Sequence, residues 1–312
     1  MSTSLSASKL DGLIGLSGDK RVVLRIAEAE SASHAILLYG AKGAGKGQLA
    51  DALAVSWLSQ NDDPNEQPVT TFLNGRNPDV LRVQPFGAGR MILGRQISPS
   101  RGSEGGYDGI SVIEFLRTPP IMSAHKVVIL EEAERLHPAA ANALLKTLEE
   151  PHAYAKFILM TNSVGSILPT ILSRCVAIAC ELPKPDERSQ INIEEEFWAL
   201  AKGAPALARR YQENPAPFKS LLAFAKELRS RPLSQALAAG DQFKSIADKL
   251  DPNQAARIAN TEALELLAIA ISLYHPDWHQ ALAKITQAHR RIIGNGSAGM
   301  TFDALFTSLL SQ

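Results

Sequence analysis

Residues 127–175 read VVILEEAERLHPAAANALLKTLEEPHAYAKFILMTNSVGSILPTILSRC. Val127, Val128, Ile129 and Leu130 form an unbroken apolar run, too short for a helix and rich in β-branched residues, that ends in Glu131 and Glu132. Such a run predicts a strand buried on both faces, with its acidic end at the carboxyl edge of a sheet. Ala141, Leu144, Leu145 and Leu148 then recur at the spacing of one helical face. Pro138 suits the first turn of that helix, and Pro151 lies just beyond its end. A second buried strand, residues 157–160, runs into Thr161 and Asn162. Strand, helix and strand with polar residues at both strand ends predict a parallel sheet that presents a ligand site. The stretch closes on Ser173, Arg174 and Cys175, and so on a cation.

Upstream, residues 35–39 read as the first strand and lead directly into GAKGAGKG at residues 40–47, with a helix expected through Trp57. Glycines allow successive backbone N–H groups to turn inward, and a helix N-terminus adds its positive end. Gly40, Gly43, Gly45 and Lys46 match a phosphate-binding loop, with Lys46 placed to reach the terminal phosphates of ATP or ADP. The following position ordinarily carries Ser or Thr, whose hydroxyl holds Mg²⁺. Here it is Gly47. The reading is a loop that keeps its phosphate cradle and lacks its metal ligand, with a relic turn that binds nothing as the alternative; productive hydrolysis is disfavoured.

The run LLKTLEEP at residues 144–151, followed by Ser173-Arg174-Cys175, resembles the clamp-loader subfamily of AAA+ ATPases. Within that subfamily it looks like the delta-prime subunits of bacterial DNA polymerase III clamp loaders. The resemblance implies an α/β P-loop nucleotide-binding domain with a parallel sheet over residues 1–182. It further implies a small helical lid over residues 183–214 and an all-helical collar for oligomerisation over residues 215–312. Beyond residue 182 it rests on helicity and length.

By the same resemblance, Glu131 stands where an Asp helps place Mg²⁺, and Glu132 stands at the position that polarises the attacking water. An acidic pair starting a helix is the structural alternative for both. Asn162, and less securely Thr161, takes the place of a γ-phosphate sensor. The arginine of a second sensor is expected soon after Gly203 but arrives late, at Arg209. Arg174 matches the arginine that projects into a neighbour's nucleotide site, where a guanidinium stabilises transition-state charge. Its structural alternative is an arginine pairing at the surface. The groups serving this chain's own ATP are thus damaged, and the group serving a neighbour's is intact.

The expected function is a non-hydrolysing or weakly nucleotide-binding clamp-loader subunit that donates an arginine finger in trans as the sliding clamp is loaded onto primed DNA. Its partners would be the other clamp-loader subunits in a hetero-oligomeric ring and the sliding clamp, with DNA engaged indirectly. The alternatives are an ATP-hydrolysing motor subunit using Lys46, Glu132 and Asn162, and an AAA+-derived adaptor outside replication.

Composition supports an ordinary globular protein of two or three domains: 312 residues, 45% hydrophobic and 21% charged. Lys plus Arg equals Asp plus Glu at 32 each, so any nucleic-acid contact is expected to be local or shared. Two cysteines, Cys175 and Cys180, cannot build the four-cysteine zinc module of many clamp-loader subunits, and no metal is expected. The first residues lack signal-peptide blocks and no apolar run has membrane-spanning length, which predicts a cytoplasmic protein without a membrane partner.

Other expected elements are a helix over about 20–30, a strand over 79–83 and a helix over 110–116. Residues 87–109 form a glycine-rich insertion, read as a solvated loop in preference to a DNA-facing one. Within it, residues 90–97 suggest a strand or half-hairpin, and Arg90, Arg95 and Arg101 add positive charge. Pro215-Ala216-Pro217 reads as a linker; Leu264, Leu267, Ala268 and Ile271 mark one helical face, and Leu282, Ile285, Ile292 and Ile293 another.

Overall fold

The computed structural model describes residues 33–61, 63–87, 89–99, 107–188, 191–251 and 255–311. The helix expected over about 20–30, and Arg101, lie outside the described residues. The chain divides into two compact units, one comprising Met1–Ile191 with Ala204–Ala206, the other Asn192–Gly203 with Leu207–Gln312.

The first unit is built on β1 (Ala35–Tyr39), β2 (Val80–Val83), β3 (Lys126–Leu130), β4 (Ala155–Thr161) and β5 (Val176–Ala179). All adjacent pairs are parallel, in the order β2-β3-β4-β1-β5. The helices between them are α1 (Lys46–Leu58), α2 (Gln67–Leu73), α3 (Gly94–Ile97), α4 (Val112–Phe115), α5 (Pro138–Glu149) and α6 (Pro169–Leu172), and α7 (Pro185–Arg188) follows β5. Register pairs Leu37 with Leu159 and Val128 with Phe157. One sheet face buries Ile36, Leu38, Ile129, Ile158 and Met160 among Leu49, Leu53 and Trp57 of α1. The other buries Leu37, Val128, Leu130, Phe157 and Leu159 among Leu144 and Leu148 of α5. Because both faces are covered, the central strands are apolar without alternation.

Since β1, β4 and β3 are parallel neighbours, their carboxyl ends deliver Gly40, Asn162 and Glu131 to one edge of the sheet. The opposite approach to β3 is fixed by Asp79, which is fully buried. Its carboxylate accepts from the N–H groups of Ile121 (2.8 Å), Met122 (2.9 Å) and Ser123 (2.9 Å).

Several expectations need correction. Phe86 and Met91 form an antiparallel bridge, but 94–97 is a helical turn rather than strand. The helix expected over 110–116 is the single turn α4, closed by reciprocal hydrogen bonds between Ser111 and Glu114. Pro215 is no linker; it opens α10, where its missing N–H would have had no intrahelical partner.

The second unit comprises α8 (Glu195–Leu200), α9 (Pro205–Glu213), α10 (Pro215–Leu228), α11 (Ala236–Leu250), α12 (Ala256–Tyr274), α13 (His279–Ile293) and α14 (Ala298–Leu310), with the first two residues of α9 grouped with the sheet. Phe243 meets Phe302 edge-on at 5.0 Å between ring centroids and Phe306 at 5.4 Å, forming an aromatic centre. Of the expected face, Leu264, Leu267 and Ile271 are buried and Ala268 is partly exposed. On α13 the buried face is Ala281, Ile285, Ala288 and Ile292, leaving Ile293 half exposed. Arg210 donates to Glu262 at 2.7 Å, so that the nearly buried carboxylate is paired. No helix among the described residues is long and apolar enough to cross a membrane.

Candidate nucleotide site

At the end of β1 the chain turns through three glycines with positive φ: Gly40 (149°), Gly43 (80°) and Gly45 (99°). A Cβ on Gly40 would lie 2.3 Å from the carbonyl oxygen of Cys180, the residue after β5, so a side chain there is excluded by that backbone as well as by φ. Gly45 caps α1 without a side-chain hydrogen bond, and the first turn of α1 carries no acid. These features fit a phosphate group, which the N–H groups of the first turn and Lys46 would hold.

In the structure the Lys46 ammonium donates to the carbonyls of Gly40 (2.7 Å) and Ala41 (2.8 Å) and to Oδ1 of Asn162 (3.0 Å). Those three bonds account for all its protons. Burial lowers its pKa, opposed by the nearby Cys180 and Glu134. The position of a side chain at Gly47 is open space, with nothing within 4 Å.

Both acidic residues at the end of β3 are engaged. Glu131 accepts from Nη1 of Arg82 (3.3 Å) and from Gln84 (3.0 Å), and Arg82 also pairs with Asp51 on α1. Glu132, in a left-handed conformation with φ 49°, pairs with Arg90 and, at 3.5 Å, with Arg135. Arg90 belongs to the hairpin turn of the 87–109 insertion, which therefore reaches the acidic edge of the sheet. With no hydroxyl at Gly47, and with Glu131 and Glu132 both turned to guanidinium groups, the residues present do not fit Mg²⁺.

Asn162, expected as a sensor, lies beside Lys46. Its side-chain amide donates to Oε1 of Glu134 (3.0 Å), whose other oxygen is buried with no partner among the described residues. Glu134 thus fixes the amide and completes a chain from carboxylate to lysine. Sequence reading passed over Glu134, although it follows Glu131 by one turn in EEAE. Thr161 is buried and its hydroxyl donates to the Ser163 carbonyl (3.1 Å), away from a sensing role.

Arg174 follows α6. Its guanidinium donates to Oε1 of Glu149 (2.5 Å), to the Thr170 carbonyl (2.8 Å) and to the Ser173 hydroxyl (3.2 Å). Cys175 packs against the core beneath it, and burial pushes its thiol up to about 11. Arg209 is exposed on α9, in the second unit. Among the described residues no group of three or more His, Cys, Asp or Glu is placed to hold a metal ion.

A family model described as DNA polymerase III, delta subunit, matches residues 19–184. The chain belongs to that family. This delta-family chain is 34% identical to the DNA polymerase III subunit delta′ of Pseudomonas aeruginosa over 195 residues, 57% of this chain and 55% of that protein. It is 34% identical over 167 residues to the DNA polymerase III subunit gamma of Buchnera aphidicola, covering 51% and 42% of the two chains. It spans about half the length of the curated relatives it matches. Among solved structures it is similar to a DNA polymerase III gamma subunit-related protein of Thermotoga maritima, with TM-score 0.50 and 18% identity over 94% of this chain and 98% of that one. That likeness is one of fold: a parallel α/β sheet followed by an all-helical region.

Proposed function

We propose that this clamp-loader family chain hydrolyses no ATP itself, holds nucleotide weakly and without a metal, and donates Arg174 in trans to a neighbouring subunit's ATP. On this reading it works in a hetero-oligomeric ring with other clamp-loader subunits as the sliding clamp is placed on primed DNA. Residues 183–214 serve as lid and residues 215–312 as the collar joining it to its partners.

The observation that carries the reading is the pairing of both β3 carboxylates with arginines, beside a glycine at the metal-ligand position. Hydrolysis needs a carboxylate free to orient water and a cation to neutralise charge building on the phosphoryl oxygens. The oxygens of Glu132 face Arg90 and Arg135 instead. Arg174 supports the other half of the reading. Of its five N–H groups, three have partners, and the Nε–H and one Nη2–H have none among the described residues. A planar pair of donors suits phosphoryl oxygens better than an ammonium does.

The test is ATP turnover and nucleotide affinity of the isolated chain, each measured with Mg²⁺ and with EDTA. The reading expects no turnover and the same weak affinity in both. Mg²⁺-dependent turnover by the chain alone would make it a motor subunit and overturn the reading.

A further inference from the structure

We infer that Glu149 is a positioning residue for Arg174, holding the guanidinium so that one edge stays open toward a neighbouring subunit. The inference rests on the proposal that Arg174 acts in trans, and extends it to the residue that aims it.

Glu149 is the last residue of α5. A carboxylate there faces the negative end of the helix dipole, so helix stability does not explain it. What it touches does: Oε1 accepts from Nη2 of Arg174 at 2.5 Å, across 25 positions of sequence. The two ends of this contact are anchored independently. Leu144 and Leu148 seat α5 in the core under the sheet. Ile171, 1% exposed, and Cys175 seat the Arg174 segment in the same core. Without Glu149 the guanidinium would keep only its local Nη1 bonds, to Thr170 and Ser173 at the end of its own helical turn.

The hydrogen bonds decide which donors remain. Both Nη1 protons go inward, to the Thr170 carbonyl at 2.8 Å and the Ser173 hydroxyl at 3.2 Å. Glu149 takes one Nη2 proton. The Nε–H and one Nη2–H are left without a partner among the described residues, as donors that phosphate oxygens can accept from. The pair is partly exposed, 32% for the arginine side chain and 48% for the glutamate, so it is reachable from another chain. A pair this exposed adds little to folding; its effect is on direction.

The experiment is a steady-state ATPase measurement on the assembly reconstituted from this chain and its partner subunits, with clamp and primed DNA. The variants are Glu149→Ala, Glu149→Gln, Arg174→Ala and the double Glu149→Ala/Arg174→Ala. Glu149→Ala should lower kcat about tenfold, because a displaced catalytic group loses rate steeply with position. KM for ATP should be unchanged, and the melting temperature of the chain should move by no more than about 2 °C. Glu149→Gln keeps an acceptor oxygen and should stay within about threefold of wild type. The double variant should be no slower than Arg174→Ala, since Glu149 acts only through that arginine.

An unchanged or raised kcat in Glu149→Ala, with Arg174→Ala slow, overturns the inference and leaves the arginine donor standing. Losses that add in the double variant also overturn it. Full activity of Arg174→Ala removes the proposal beneath it.

Discussion

Replacing Gly47 by Ser separates two explanations of why this loop should be silent. A Cβ at this position meets nothing within 4 Å, so the substitution carries no steric cost. Gly47 sits in the first turn of α1, where serine is the better helix former by about 0.5 kcal/mol in a helix interior. Near the helix start the gain is smaller, about 0.3 kcal/mol, which raises the melting temperature by about 1 °C. The hydroxyl alone should not create an ATPase, because Glu131 remains with Arg82 and Gln84, and Glu132 with Arg90 and Arg135. The assay is thermal unfolding together with ATP turnover of the isolated variant in Mg²⁺. A stabilised or neutral, inactive protein is the expected result. Mg²⁺-dependent turnover by Gly47→Ser would refute the reasoning, since it would mean the paired carboxylates are available after all. A loss of more than about 1 kcal/mol would refute the openness of the position.

Gly40→Ala is the opposite case: its Cβ would meet the Cys180 carbonyl at 2.3 Å in a positive-φ conformation, and denaturant unfolding should show a loss of about 3 kcal/mol or more. A neutral result would show that β5 can shift away. Burial raises the Cys175 thiol to about 11, so its alkylation should be slow at pH 8 and should climb only as pH approaches that value. The folded state keeps this proton while the unfolded chain loses it near 9, so the stability it contributes is complete below pH 9 and lost as pH rises through about 11. Rapid labelling with a midpoint near 8.5 would contradict that burial.

The central strands were legible because β1, β3 and β4 are buried on both faces and so write unbroken apolar runs. β5 was not read as a strand: VAIA is brief, with Val176 and Ala177 exposed at the sheet edge. The glycines of the loop were legible because a phosphate turn dictates their spacing. The partners that neutralise the site were not. Arg82 and Gln84 come from β2 and just after it, Arg90 from a distant hairpin, and none has a spacing that points to its carboxylate. Glu149 was visible as part of a motif, but its contact with Arg174 exists only once α5 and α6 share a core. On α13, the four residues proposed as a face included Ile293, while the small residues Ala281 and Ala288 complete the buried stripe.

The most direct test of the arginine-donor account is single-turnover ATP hydrolysis by the reconstituted assembly, loaded with clamp and primed DNA, comparing wild type with Arg174→Ala at matched nucleotide occupancy. The account predicts that hydrolysis at the neighbouring site slows by on the order of a hundredfold or more while ATP still binds. Unchanged hydrolysis at that site would contradict it.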